Sequence, residues 1–304
     1  DPLAVRLFLA YEYVPTPFSI FKNVRKLQPG SYLIYKEGEM PQEKSFWDIP
    51  QDILEISFTS AVEQLDHLLR QSVEKRLISD VPLGVFLSGG IDSSTIAYYA
   101  QLVSKERIKT FSIGFENSDF DESHYAAMVA QTLGVSHTME HFSAERCLEL
   151  IPEVFSYLDE PIADASILPT YLLAAFTRKY VTVALAGDGG DELFAGYPTF
   201  KAEALIDTYK TIPSFLRQKL IEPTIHALPV RHNYFSLDFK LKRFLEGAEE
   251  DRRHRHQRWL GAFTDTEITE LLVDTPALLP GYDSSFGLLD KYFRSGPTSA
   301  EFHN

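Results

Sequence analysis

The chain has 304 residues, 44% of them hydrophobic, enough for one large domain or two modest ones. Its formal net charge of −14 argues against nucleic acid or an anionic membrane as the principal partner. The single cysteine, Cys147, excludes an internal disulfide and fits a reducing, cytoplasmic compartment.

The opening, DPLAVRLFLAYEYVP, has neither an initiator Met nor a signal pattern, and it reads as the interior of a longer protein. The end, GPTSAEFHN, reads the same way. Leu3 to Tyr11 predicts a short apolar helix ended by Pro15 and Pro17. Gln28–Gly30 then precedes SYLIYKEG, an alternating strand expected to be half of a hairpin. Trp47 and Pro50 mark the expected boundary between two units, 1–50 and 51–304. Next, Ser57 or Thr59 caps a helix whose apolar residues Val62, Leu65, Leu68, Leu69, Val73 and Leu77 recur at helical spacing.

From Pro82 strands and helices alternate. Gly84–Leu87 predicts a short strand, Ile91–Val103 a helix, Lys109–Phe115 a second strand and Asp121–Leu133 a helix closed by a left-handed Gly134. Ser136–Phe142 predicts a third strand, followed by helices through Tyr157 and from Ser166 to Lys179. Cys147 falls in the first of these, AERCLELIPEVF, as a small buried apolar residue. Val181–Ala186 is β-branched and unbroken, as in a strand covered on both faces. The alternation predicts an α/β fold with a doubly wound parallel sheet, and beyond Gly196 the pattern is helical. DRRHRHQRW, Asp251–Trp259, reads as a solvated helix face.

In such sheets ligands bind beyond the carboxyl ends of the strands. Two strands here end in unusual loops, LSGGIDSS and AGDGGDELFAGY. Gly89 and Gly90 let backbone N–H groups approach an anion, Ser88, Ser93 and Ser94 add hydroxyls, and the following helix points its positive end at the same spot. The loop lacks the lysine of a Walker sequence and carries Asp92 instead. A carboxylate beside phosphates is repulsive unless a cation lies between them, so Asp92 reads as a Mg²⁺ ligand. Asp188, Asp191 and Glu192 crowd the second loop and ask for the same ion. His124, His137 and His141 have no repeated metal spacing. Asp159 and Glu160, ahead of Pro161, fit a turn.

The S-G-G-I-D-S stretch resembles the signature of the pyrophosphatase-loop family, whose members split ATP between the α and β phosphates. Together with Ser112–Phe115 (SIGF), Leu158–Tyr171 (LDEPIADASILPTY) and GDGGDELFAGY, the chain resembles the glutamine-hydrolysing asparagine synthetases. The segment YVPTPFSIFKNVRKLQPGSYL resembles the end of that family's glutaminase domain, so residues 1–50 would be its tail and 51–304 the synthetase domain. The resemblance implies ATP and Mg²⁺. Leu87 and Ile113 would flank the adenine; Ser88, Gly89, Gly90, Asp92 and Ser93 would hold the pyrophosphate; Gly187 would line the pocket; Asp92 and Asp191 would hold the metal. Asp188 and Glu192 are the catalytic candidates, and Asp188 would act as acid, base or orienter. LDEPIAD would support the substrate side.

The implied reaction is activation of the aspartate side chain as an acyl-adenylate, with release of pyrophosphate, then attack by ammonia drawn from glutamine. The glutaminase cysteine and a K-x-D-R type segment expected near the transferring phosphate are not in these residues; Asp290–Ser295, DKYFRS, is a poor substitute. A sister enzyme acting on another carboxylate, as β-lactam synthetases do, and a nucleotide-binding fragment without turnover remain alternatives. The expected partners are small molecules, with a homo-oligomer left open.

Overall fold

Four parallel strands form the centre of the molecule: β3 (Leu83–Phe86), β4 (Lys109–Phe115), β5 (Ser136–Phe142) and β6 (Val183–Leu185). Across the sheet they lie in the order β5-β4-β3-β6. The structure, a computed structural model, describes residues 1–50, 52–116, 121–230, 236–261, 263–272 and 284–290.

The N-terminal helix α1 (Pro2–Tyr11) starts with the Asp1 carboxylate accepting the Leu3 N–H at 2.9 Å and with proline in its first turn. It stops at Glu12, left-handed at φ 67°, whose N–H closes on the Phe8 carbonyl. The helix therefore ends before Pro15 and Pro17, at a backbone reversal and not at the prolines. Leu7, Ala10 and Tyr11 bury against Ile268 and Phe286, and the nearly covered Arg6 pairs with Asp265 at 2.6 Å. A hairpin follows, β1 (Ser31–Ile34) against β2 (Gln42–Ser45), with Ser31 opposite Ser45.

Helix α2 (Phe58–Arg76) is capped by Ser57, which accepts the Ser60 N–H. Its apolar positions do not all face the core as their spacing suggests: only Val73 is buried, while Val62 and Leu68 stay exposed. Contact with the core runs along its second half, through Leu69, Val73 and Leu77, and through Asp66, which accepts the Tyr99 hydroxyl at 2.7 Å.

Helices cover both faces of the sheet. On one face α3 (Ile91–Val103) and α4 (Ser123–Leu133) join α2 over Val85, Leu87, Ala97, Ala126 and Ala130. The other carries α5 (Ala144–Ser156) and α6 (Ile167–Thr177), with Phe176 on Phe111 and Leu150, Val154 and Leu172 clustered beside the half-covered Cys147. This is the doubly wound α/β arrangement that the strand–helix alternation predicts.

Several boundaries differ from expectation: β3 runs Leu83–Phe86, one residue early, and α6 stops at Thr177. Helix α4 begins at Ser123, because the Asp121 carboxylate accepts the N–H groups of both Phe115 and Ser123 and holds the preceding turn open. Strand β6 is three residues long and pairs only with β3 among the described residues. At this edge Val183 is partly exposed, so the strand is not covered on both faces.

The remainder is helical: α7 (Gly190–Phe194), α8 (Pro198–Thr211), α9 (Ser214–Leu216), a π turn (Arg217–Ile221), α10 (Glu222–His226), α11 (Leu237–Ala248), α12 (Arg252–Leu260), α13 (Asp265–Leu271) and a 3-10 turn (Ser285–Leu289). The basic stretch in α12 is a solvated face at its start, where Arg252 and Arg253 are exposed, but not throughout. Arg255 is buried, donating to Glu203 at 2.7 Å and to the carbonyls of Gly247 and Glu250 at 3.0 Å each, and Trp259 packs on Ile206 and Ala248. A buried guanidinium needs this many acceptors, and here they are supplied by α8 and the end of α11. Of DKYFRS, only Asp290 lies within the described residues. No helix among those residues is long and apolar enough to cross a membrane.

Candidate active site

Strands β3 and β6 are neighbours, yet the chain visits β4 and β5 on the far side before returning to β6. The strand order reverses between them, and at such a switch point the two outgoing loops diverge and open a crevice beyond the carboxyl ends. LSGGIDSS leaves β3 and AGDGGDELFAGY leaves β6.

The first loop turns at Gly89, whose φ of 85° is left-handed. A Cβ there would stand 2.6 Å from the Ala126 amide nitrogen, so α4 presses on the loop from behind. Serines close the turn. Ser88 N–H donates to Ser93 Oγ at 3.1 Å, Gly90 N–H to Ser88 Oγ at 3.2 Å, and the two hydroxyls lie 2.9 Å apart. Helix α3 then starts with Gly90 as its cap and Asp92 in its first turn.

The second loop lies directly on the first. A Cβ at Gly187 would be 2.8 Å from the Ser93 amide nitrogen, and one at Gly190 would be 2.4 Å from the Asp92 carboxyl carbon. Asp92 is thereby pressed against the other acidic loop. Burial first, then the neighbouring Asp191 and Glu192 charges, push its carboxyl above the ordinary value. Glu192 goes the other way, because the Tyr197 hydroxyl donates to it at 2.6 Å and favours the ionised form. The same bond pushes the Tyr197 phenol up to about 12.

Between the loops lies a cavity of about 650 Å³. It is lined by Leu87, Ser88, Asp92, Ser93, Ile113, Gly187, Asp188, Asp191 and Glu192. Of the residues expected at the anion, Gly89 and Gly90 shape the turn behind the cavity, and Ser94, whose hydroxyl is buried, does not line it. Sequence reasoning passed over Phe115, Glu122, Ser166, Thr170 and Tyr197, which also line it. Tyr197, Ser166 and Thr170 stand inside the quoted stretches GDGGDELFAGY and LDEPIADASILPTY, where they were the available signal.

The LDEPIAD loop lies behind this wall. Its Asp164 carboxylate accepts the Ser166 N–H at 2.8 Å, and Glu160 turns towards the N-terminal segment. None of the three histidines lines the cavity. His137 is held between Thr110 Oγ1 at 2.9 Å and Ser112 Oγ at 3.1 Å.

The charges in the cavity are one-sided. Five carboxylates line it, on Asp92, Glu122, Asp188, Asp191 and Glu192, and no lysine, arginine or histidine does among the described residues. Amide and hydroxyl donors suit an anion, but the carboxylates would repel it unless a cation came with it. No group of three or more metal-ligating side chains gathers among the described residues. Mg²⁺ is commonly held by one or two carboxylates and completes its shell with waters and substrate phosphates. Burial, then the Asp191 and Glu192 charges, raise the Asp92 carboxyl, and a cation beside it would relieve the second of these causes.

The sequence profile described as asparagine synthase matches residues 64–283. A Methanocaldococcus jannaschii protein provisionally named asparagine synthetase (glutamine-hydrolyzing) 2 is 38% identical over 216 residues, which cover 70% of this chain and 42% of that protein. Asparagine synthetase (glutamine-hydrolyzing) 1 of Bacillus subtilis is 33% identical over 222 residues, 73% of this chain and 35% of the relative. The chain thus spans less than half the length of either. Among solved structures, NMN synthetase from Francisella tularensis aligns at 15% identity over 75% of this chain and 100% of that one, with a TM-score of 0.34.

Proposed function

The chain belongs to the asparagine synthase family, and on that premise we propose that its cavity binds ATP with Mg²⁺ and joins a carboxylate to ammonia. The observation that carries the reading is the pairing of an amide- and hydroxyl-rich turn with an acidic loop, in a cavity whose described lining has no basic side chain. The substrate assigned is aspartate, after the names of the relatives.

In this reading a side-chain carboxylate oxygen attacks the α-phosphorus, and the bond to the bridging oxygen of the β-phosphate breaks. Pyrophosphate leaves with the electron pair. Ammonia then adds to the acyl carbon, gives up a proton, and AMP departs with one of the carboxylate oxygens. Ser88, Gly89, Gly90 and Ser93 would receive the departing pyrophosphate, the Ser88 and Gly90 N–H groups turning to it from the serine hydroxyls they meet in this structure. Leu87 and Ile113 flank the base, and Gly187 leaves room for the nucleotide. Asp92 and Asp191 would hold the metal, which when bound neutralises charge on the phosphates. Glu192, kept ionised by Tyr197, and Asp188 are the carboxylates available to take the ammonia proton.

Within the same proposal, residues 1–50 are the tail of a glutaminase domain, residues 51–304 are the synthetase domain, and glutamine supplies the ammonia in the longer, cytoplasmic protein.

Calorimetry with Asp92→Asn tests the assignment. Removing one anionic ligand of a hard cation should weaken Mg-ATP binding by at least about tenfold, the loss that even an outer-shell partner of a metal causes. Adenosine affinity should hardly change. Equal losses for both ligands would reduce Asp92 to a residue that shapes the loop.

A further inference from the structure

Glu160 sits in the loop between α5 and α6, with 18% of its side chain exposed. It pairs with Lys26, and its Oε1 accepts the Ile20 N–H at 2.8 Å. Lys26 also donates to the Val14 carbonyl at 2.6 Å, and Ala163 N–H donates to the Glu12 carbonyl at 2.9 Å. The segment Glu12–Lys26 therefore grips the LDEPIAD loop at several points far apart in sequence. Burial opposes ionisation of Glu160, but the bonds from Lys26, Ile20 and Ser19 outweigh it and hold the carboxyl below its ordinary value.

The loop leads directly into a cavity wall. Asp164 fixes the Ser166 amide, and Ser166, Pro169 and Thr170, in the first turns of α6, line the cavity. The Asp164 charge also reaches Tyr197, the partner of Glu192. Helix α6 has no part in the two loops that serve the nucleotide. Its Ser166 and Thr170 hydroxyls are donors in a cavity whose described charges are all acidic, and an acid substrate has need of such donors.

We propose that the Lys26–Glu160 pair is a positioning latch by which the N-terminal segment sets the α6 wall and, through it, the affinity for the carboxylate substrate. The proposal rests on the synthetase reading of the cavity. The pair touches no substrate; it acts through the loop, and loosening it frees the first turn of α6.

The test uses the 304-residue chain with Glu160→Gln, Lys26→Met and the charge-keeping Lys26→Arg. Two quantities are read: amide hydrogen exchange over residues 158–170, and binding of L-aspartate in the presence of Mg²⁺ and a non-hydrolysable ATP analogue. Glu160→Gln and Lys26→Met should speed exchange there and weaken aspartate by about threefold to thirtyfold. The analogue should stay within about twofold, as for sites that do not couple. Lys26→Arg should preserve both. Unchanged exchange, or equal weakening of both ligands, would overturn the latch. A wild-type chain that takes the analogue but no aspartate would defeat the functional reading, and exchange alone would then decide the latch.

Discussion

At the scale of single residues, the site depends on how closely two loops from separate strands approach. Gly187 brings the second loop so near that a Cβ would meet the Ser93 amide nitrogen at 2.8 Å and the Asp92 carbonyl carbon at 2.9 Å. Both are backbone atoms at the start of a helix and cannot swing aside as a side-chain end would. Gly187→Ala should therefore cost about 1–3 kcal/mol of folding stability, the usual penalty of overpacking, and lower nucleotide affinity with it. Urea unfolding of the two chains gives the number. An unchanged midpoint would mean that the loops have slack and that Asp92 is not pressed against its acidic neighbours. The same closeness explains why Asp92 and Glu192 have moved in opposite directions: one meets burial and like charges, the other a phenol that donates to it.

At the scale of elements, how legible a stretch was depended on how local its causes are. IDSSTIAYYAQLV and KTFSIGF appear with the bounds their sequences predict, since glycine, polar breaks and apolar period act within a few residues. Helix α2 has the right extent, but only the second half of its apolar stripe meets the core, and spacing alone does not say which half finds a neighbour. Arg255 and Glu160 could not be placed from the sequence. Arg255 finds Glu203 on another helix, and Glu160 finds Ile20 and Lys26 on the N-terminal segment. The cavity residues Tyr197, Ser166 and Thr170 were within quoted motifs, but their roles needed the geometry.

The Glu160 contact carries its own pH signature. Its carboxyl lies below the ordinary 4.5, so its contribution to stability is complete above that value and is lost as pH falls through the lower, folded-state value. The stability difference between wild type and Glu160→Gln should be flat above about pH 5 and shrink below it. Urea midpoints measured across that range check it. A difference that persists unchanged in acid would show that the ion pair is not its source.

At the scale of the whole molecule, the proposed reading has the cavity bind Mg-ATP, while its described lining supplies no basic group to the transferring phosphate. The resemblance puts a lysine there, in a segment with no match in these residues, and Lys291 lies outside the described ones. Loss of one preorganised donor typically costs on the order of a hundredfold to a thousandfold in rate. The 304-residue chain should therefore bind Mg-ATP yet show almost no aspartate-dependent exchange of pyrophosphate into ATP, and extension to the length of its relatives should restore exchange. Full exchange by the 304 residues alone would mean that a group already present does this work. The central claim, that a carboxylate is activated on the α-phosphate, has a direct measurement. The extended protein is given ATP, Mg²⁺, ammonia and aspartate labelled with heavy oxygen in its side-chain carboxylate, and the products are read by mass spectrometry. The account predicts pyrophosphate and AMP in equal amounts, with one heavy oxygen carried into each AMP. ADP with inorganic phosphate, or AMP without the label, would contradict it.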